Sequence, residues 1–141
     1  MSVLLDTNVV SELLRPSPDP AVESWVAARP AAELHFSAVG EAELRYGVLI
    51  LPTGRRRDAL ARAIEGILRE DFEGRILPFD SAAARAYADI AAARRSGGRI
   101  VALADGQIAA IARARGMAVA TRNVRDFEDT GIEVVDPWTA S

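Results

Sequence analysis

The chain of 141 residues contains no cysteine and no lysine. The first absence removes disulfides, zinc–thiolate centres and thiol nucleophiles together. The second removes a P-loop with its phosphate-binding lysine, Schiff-base chemistry and a receiver domain with an essential lysine. The sole histidine, His35, lies in the apolar run Leu34–Phe36, where a packed or hydrogen-bonded core residue is expected, so a Ser-His-Asp hydrolase has little support. No apolar run approaches the roughly 18 residues of a membrane span, and Val3–Leu5 is too short for a signal-peptide core. No membrane association and a cytoplasmic location are therefore expected. A net charge of −3 argues against binding nucleic acid by bulk charge alone.

What is present is half hydrophobic, enough for one domain spanning residues 1–141 around a substantial core. Val3-Leu4-Leu5 reads as a buried strand that ends abruptly in Asp6-Thr7-Asn8, with a helix following to Leu14. The proline-rich turn Arg15–Pro20 leads to a helix that reaches about Ala28. Leu34–Phe36 is a second strand, and Ser37 caps a helix that Pro52 ends. Arg55–Glu70 is amphipathic, Arg75–Pro78 a short strand, and Asp80 or Ser81 caps a helix that Ser96-Gly97-Gly98 breaks. A helix with Asp105 near its first turn stops at Gly116; Met117–Ala120 and Glu133–Val135 are the last strands. Alternating strands and helices predict an α/β fold, a central mostly parallel sheet flanked by helices.

Projected at 100° per residue, the helix after Ser37 places Val39, Ala42, Glu43, Tyr46, Leu49 and Ile50 in one stripe. Glu43 is thereby expected on the core-facing side. Leu44, Val48 and Leu51 form a second ridge, read as a contact with another chain or with the next helix.

Ligands of parallel α/β sheets gather beyond the carboxyl ends of the strands. Asp6 ends the first strand, Asn123 and Asp126 follow the fourth, and Glu43 and Asp105 belong to helices that emerge on the same side. Plainer readings stand beside this one. Asp6 serves equally as an N-cap, Asp105 as a helix-dipole complement, Asp126 as a loop acid and Glu43 as the partner of an arginine. Two like charges 4 Å apart repel by about 4 kcal/mol at an effective dielectric near 20, so converging carboxylates require protons or a cation. With oxygen donors only, that cation is a hard one, Mg²⁺ or Mn²⁺.

Four stretches carry a family resemblance: Leu4–Asn8, Ser37 through Glu43–Gly47, Ala104–Ala109 and Ala120–Phe127. In this order they resemble the successive motifs of PIN-domain nucleases, and Asp136-Pro137-Trp138 is similar to the VapC-type toxins that resemble FitB. The resemblance covers essentially the whole chain. It implies a PIN-like three-layer domain and a Mg²⁺-dependent endoribonuclease, the toxin of a toxin–antitoxin pair. Its implied partners are an RNA substrate, a VapB/FitA-like antitoxin and a second copy in a homodimer or a larger toxin–antitoxin assembly. By the family pattern Asp6, Glu43 and Asp105 hold the metal, and Thr121 is the hydroxyl residue that supports the site. The fourth acidic position of many relatives falls at Asn123, with Asp126 as the candidate replacement. Arg94, Arg95, Arg99, Arg122 and Arg125 are candidates either for the RNA backbone or for pairing with acids. The alternative is a weak or silent PIN module acting as the partner-binding half of a DNA-binding complex. A phosphatase with Asp6 as nucleophile is disfavoured, because no second acid lies two residues on and no lysine holds the phosphate.

Overall fold

The computed structural model describes residues 1–140. Five short strands, β1 (Val3–Leu5), β2 (Leu34–Ser37), β3 (Ile76–Leu77), β4 (Ala118–Ala120) and β5 (Val134–Val135), form a sheet in the order β3-β2-β1-β4-β5. Every pairing is parallel. The central strand is β1, and its side chains alternate between two cores. Val3 and Leu5 pack with Val9, Val10, Phe36 and Phe72; Leu4 packs with Ile90, Ile108, Ile111 and Val119. A strand apolar on both faces is what a sheet covered on both sides demands.

The first core is covered by α1 (Thr7–Leu13), α2 (Pro20–Ala27), α3 (Ala38–Leu49) and α4 (Arg55–Gly66), the last continued by a π-helical turn over Ile67–Asp71. The second is covered by α5 (Ser81–Ser96) and α6 (Leu103–Ala114). The three-layer α/β expectation is met. Helix starts follow their side-chain caps: Asp19 accepts from Ala21 N at 2.8 Å, Ser37 from Gly40 N at 2.8 Å and Asp80 from Ala83 N at 3.0 Å. Gly116, with φ of 67°, follows α6 as the stop signal requires.

The facing of α3 is the reverse of the expectation. Leu44 and Val48 are buried in the first core and continue the row begun by Gly40, while Tyr46, Leu49 and Ile50 are about two-thirds exposed. The row at Gly40, Leu44 and Val48 faces inward because Gly40 lies against β2 and α1. A Cβ at Gly40 would stand 2.5 Å from the Phe36 ring and 3.2 Å from Thr7 Oγ1. Leu44 and Val48 therefore pack in the protein's own core together with Ile64 of α4, so the ridge meets the next helix, one of the two contacts expected of it. Glu43 is solvent-exposed, not core-facing.

Candidate active site

Asp6 follows the last residue of β1, and its backbone N–H still bonds to Ala120 O at 2.9 Å, continuing the β1–β4 ladder. The register Leu5↔Ala120 makes Asp6 and Thr121 the next neighbours along these two strands. Thr121 Oγ1 donates to Asp6 Oδ2 at 2.7 Å, and Thr7 N donates to Asp6 Oδ1 at 2.7 Å. Asp6 is thus both the N-cap of α1 and a buried acid, only 5% exposed. The Thr121 hydroxyl in turn accepts from Asn8 Nδ2 at 3.2 Å and from Asn123 N at 3.0 Å. Asn8 Oδ1 accepts from Arg122 N at 3.4 Å. One buried hydroxyl ties the two strand ends together.

Across from this network, Glu43 on α3 accepts from Thr7 Oγ1 at 2.6 Å. Asp105 lies in the first turn of α6, behind Ala102, which makes no side-chain cap. Asp6, Glu43, Asp105 and Asn123 share one cleft of about 500 Å³, with Asn8, Glu12, Arg15, Arg122 and Trp138 also on its walls. Asp126, on the 3₁₀ turn Val124–Phe127, is exposed beside the cleft and is not part of its lining.

Electrostatics identify the strained groups. Burial pushes the Asp6 carboxyl above its ordinary value, against the pull of the Thr121 and Thr7 hydrogen bonds, and the charges of Glu43 and Asp126 push the same way. Asp105 is raised to about 6, first by burial and then by the charges of Asp6, Asp126 and Glu43, with Arg94 opposing. Four acids therefore repel one another at the carboxyl edge of the sheet. Among the described residues no three Asp, Glu or His side chains close around a common point as a finished metal cage does. The donors of the cleft are oxygens, and their repulsion favours positive charge there; that chemistry suits a hard divalent cation.

The arginines divide into two kinds. Arg94 is buried, and its Nη1 donates to Asp126 O at 2.6 Å while its Nε has no partner. It is a strut under the 3₁₀ turn, not a group presented to solvent. Arg99 pairs with Asp129 at 2.7 Å and Glu128 at 3.6 Å. Arg122 lines the cleft, its Cζ 5.1 Å from the Trp138 ring centroid. His35 is half-buried beside Glu33 O at 3.3 Å, and burial lowers its pKa. Glu12, Arg15 and Asn8 also line the cleft, and the sequence alone assigns none of them a role there. Asn8 was within reach, because the second residue of a helix that follows a strand-end acid shares that acid's edge of the sheet.

A parallel sheet with an acid at the end of its central strand, faced by acids from two helices, defines a class of fold and site. The PIN-domain family model matches residues 3–133, and the chain belongs to that family. Within it the chain is 43% identical over 136 residues to VapC ribonuclease Y4jK of Sinorhizobium fredii, covering 96% of this chain and 97% of the relative. It is 40% identical over 136 residues to Toxin FitB of Neisseria gonorrhoeae, covering 96% and 98%. The FitAB structure bound to an IR36 DNA fragment matches with a TM-score of 0.92 at 40% identity over 99% of this chain and 97% of that one. DNA-bound VapBC from Salmonella typhimurium matches with a TM-score of 0.84 at 26% identity over 97% and 98%. The relatives make this chain a PIN-domain toxin of the nuclease kind.

Proposed function

We propose that the chain is a metal-dependent endoribonuclease, the toxin of a toxin–antitoxin pair. The observation that carries this reading is the cleft itself: Asp6, Glu43 and Asp105, from three distant segments, face one opening, and two of them are held above their ordinary pKa. Asp6, Asp105 and Glu43 would hold Mg²⁺, or Mn²⁺ in its place. Such an ion supplies charge stabilisation at a phosphodiester and lowers the pKa of bound water. The chain's own residues do the rest. Thr121 and the Thr7 N–H fix both oxygens of Asp6, and the Thr7 hydroxyl orients Glu43. Water attacks phosphorus in line, the P–O3′ bond breaks, and the products are a 5′-phosphate and a 3′-hydroxyl.

An antitoxin is the proposed partner, by analogy with the FitAB and VapBC complexes. An apolar groove of about 560 Å³ between α1, α3 and α4, lined by Leu14, Leu44, Leu51 and Leu60, suits a helical segment of it. Thr7, Ser11, Arg15 and Glu43 line both this groove and the acid cleft, so an occupant of one reaches the other. A second copy is proposed to cover the exposed Tyr46, Leu49 and Ile50. No helix among the described residues is long and apolar enough to cross a membrane; the proposed place of action is the cytoplasm, where RNA is met.

Asp6→Asn and Asp105→Asn should each abolish Mg²⁺-dependent cleavage of RNA with the circular dichroism spectrum unchanged. Cleavage that survives both substitutions, or survives chelation, overturns the mechanism. The second reading, a weakly catalytic module within a DNA-binding complex, is favoured by the amide of Asn123 in the cleft wall. Calorimetric titration with Mg²⁺ beside the cleavage assay separates the two: silence in both supports the module.

A further inference from the structure

Trp138 and Arg122 both line two adjoining depressions. One is the acid cleft; the other, about 410 Å³, runs past Ser17, Pro18, Asp19 and Pro20. Glu12, Arg15, Arg122 and Trp138 are common to both, so a continuous groove leads from Asp6 and Asp105 across the indole.

The two tryptophans of the chain make an internal contrast. Trp25 is 6% exposed, and Arg29 is pinned over it, with Cζ 3.6 Å from the ring and Nη1 donating to Trp25 O at 2.8 Å. That pair is structural. Trp138 is only partly buried. It packs against the core beneath β1 and is held in place by an Asx turn in which its N–H donates to Asp136 Oδ1 at 2.9 Å. Arg122 is looser over it, at 5.1 Å. Among the described residues its guanidinium makes no ion pair, although Glu12 is on the same walls. Glu12 is committed elsewhere: it accepts from Arg15 Nη1 at 3.2 Å and from Asp19 N at 2.9 Å.

A partly exposed indole at a groove wall, with an unpaired guanidinium near its ring, is a stacking surface. Because it lies on the path that leaves the acids, what stacks there belongs to the same strand whose phosphodiester is cleaved beside the acids. We propose that Trp138 is a platform for one nucleobase of a single-stranded RNA next to the scissile phosphate, with Arg122 moving from the ring to an adjoining phosphate when the base arrives. Trp138 and Arg122 are then substrate-positioning residues, and the site selects unpaired RNA, because only an unstacked base can lie flat on an indole. This rests on the ribonuclease reading of the cleft.

The experiment has two arms. In the first, Asp105→Asn protein, which cannot turn over, is titrated in Mg²⁺ with short homopolymeric RNAs of each base while tryptophan emission is followed. Emission should change on binding, and the change should vanish in the Asp105→Asn, Trp138→Phe protein, because Trp25 is buried. In the second, steady-state cleavage of single-stranded RNA is measured. Trp138→Ala should raise KM roughly tenfold with kcat nearly unchanged, Trp138→Phe should restore most of it, and Arg122→Ala should raise KM less. An unchanged KM in Trp138→Ala and Arg122→Ala, with wild-type cleavage intact, overturns the platform and leaves the ribonuclease standing. Emission that responds to RNA while the wild-type chain cleaves none overturns the ribonuclease and leaves the platform. Should Trp138→Ala fail to fold, the emission arm and Arg122→Ala carry the test.

Discussion

The two banks of the acid cleft are built differently. On the strand bank, Asp6 is buried, both of its oxygens are bonded, and Thr121 links it to Asn8 and Asn123 through contacts of 2.7 to 3.2 Å. On the helix bank, Glu43 is exposed and held by one hydroxyl, Asp105 has no hydrogen-bond donor among the described contacts, and Asp126 stands outside the lining. One bank is fixed by backbone pairing and is ready before anything binds. The other is held in mutual repulsion, so its final arrangement depends on the charge it receives. The contrast teaches that preorganisation here comes from sheet register, whereas responsiveness comes from acids carried on the helices α3 and α6.

Three substitutions sharpen or break this contrast. The largest effect is expected at Thr121→Val, which keeps the shape and removes the hydroxyl. The strand bank should lose about 1–3 kcal/mol in urea unfolding, since a buried carboxylate forfeits its donor, and cleavage should fall with it. A variant as stable and active as the wild type would show that the network is incidental.

Next comes Asp105→Asn, with the opposite sign. Asp105 titrates near 6 in the folded chain against an ordinary 3.8, so between these values the native state holds a proton that the unfolded chain has released. Stability therefore falls as pH rises from about 4 to about 6, and the whole penalty is present above that. In metal-free buffer at neutral pH the asparagine variant should be more stable by about 1 kcal/mol, a figure reduced for solvent screening of a partly open group. The pH slope in that window should flatten, and added Mg²⁺ should stabilise the wild type more than the variant. The smallest effect is expected at Thr7→Val, which frees Glu43. Unfolding should move by less than about 0.5 kcal/mol, as for an exposed pair, while cleavage drops severalfold.

Much of this was legible in the sequence where the cause is local. An apolar run ending in Asp6, the capping residues Ser37 and Asp80, and the stop at Gly116 depend on neighbours a few positions away, and the parallel pairing of the strands follows from their alternation with helices. The facing of α3 was not legible from hydropathy, because both of its sides are apolar. The choice lies with Gly40, a residue without a hydropathic vote, whose absent side chain lets the row with Leu44 and Val48 approach Phe36 and Thr7. The burial of Arg94 was hidden for a related reason: its partner is a backbone carbonyl 32 residues away, which no pattern of side chains announces. The role of Thr121 as a hub emerges only once β1 and β4 are known to be adjacent.

Gly40 also sets a tolerance. Glu43 is three residues further along the same helix, about 4.5 Å along its axis. Phe36, the surface on which Gly40 rests, is fully buried and stacked on Phe72 with centroids 5.6 Å apart, so it has little room to yield. One added methyl would therefore lift the helix like a shim under a bearing, and the carboxylate would ride with it while its own chemistry stayed intact. The gap between Glu43 and Asp6 is gauged by a hydrogen atom at a position that never touches substrate.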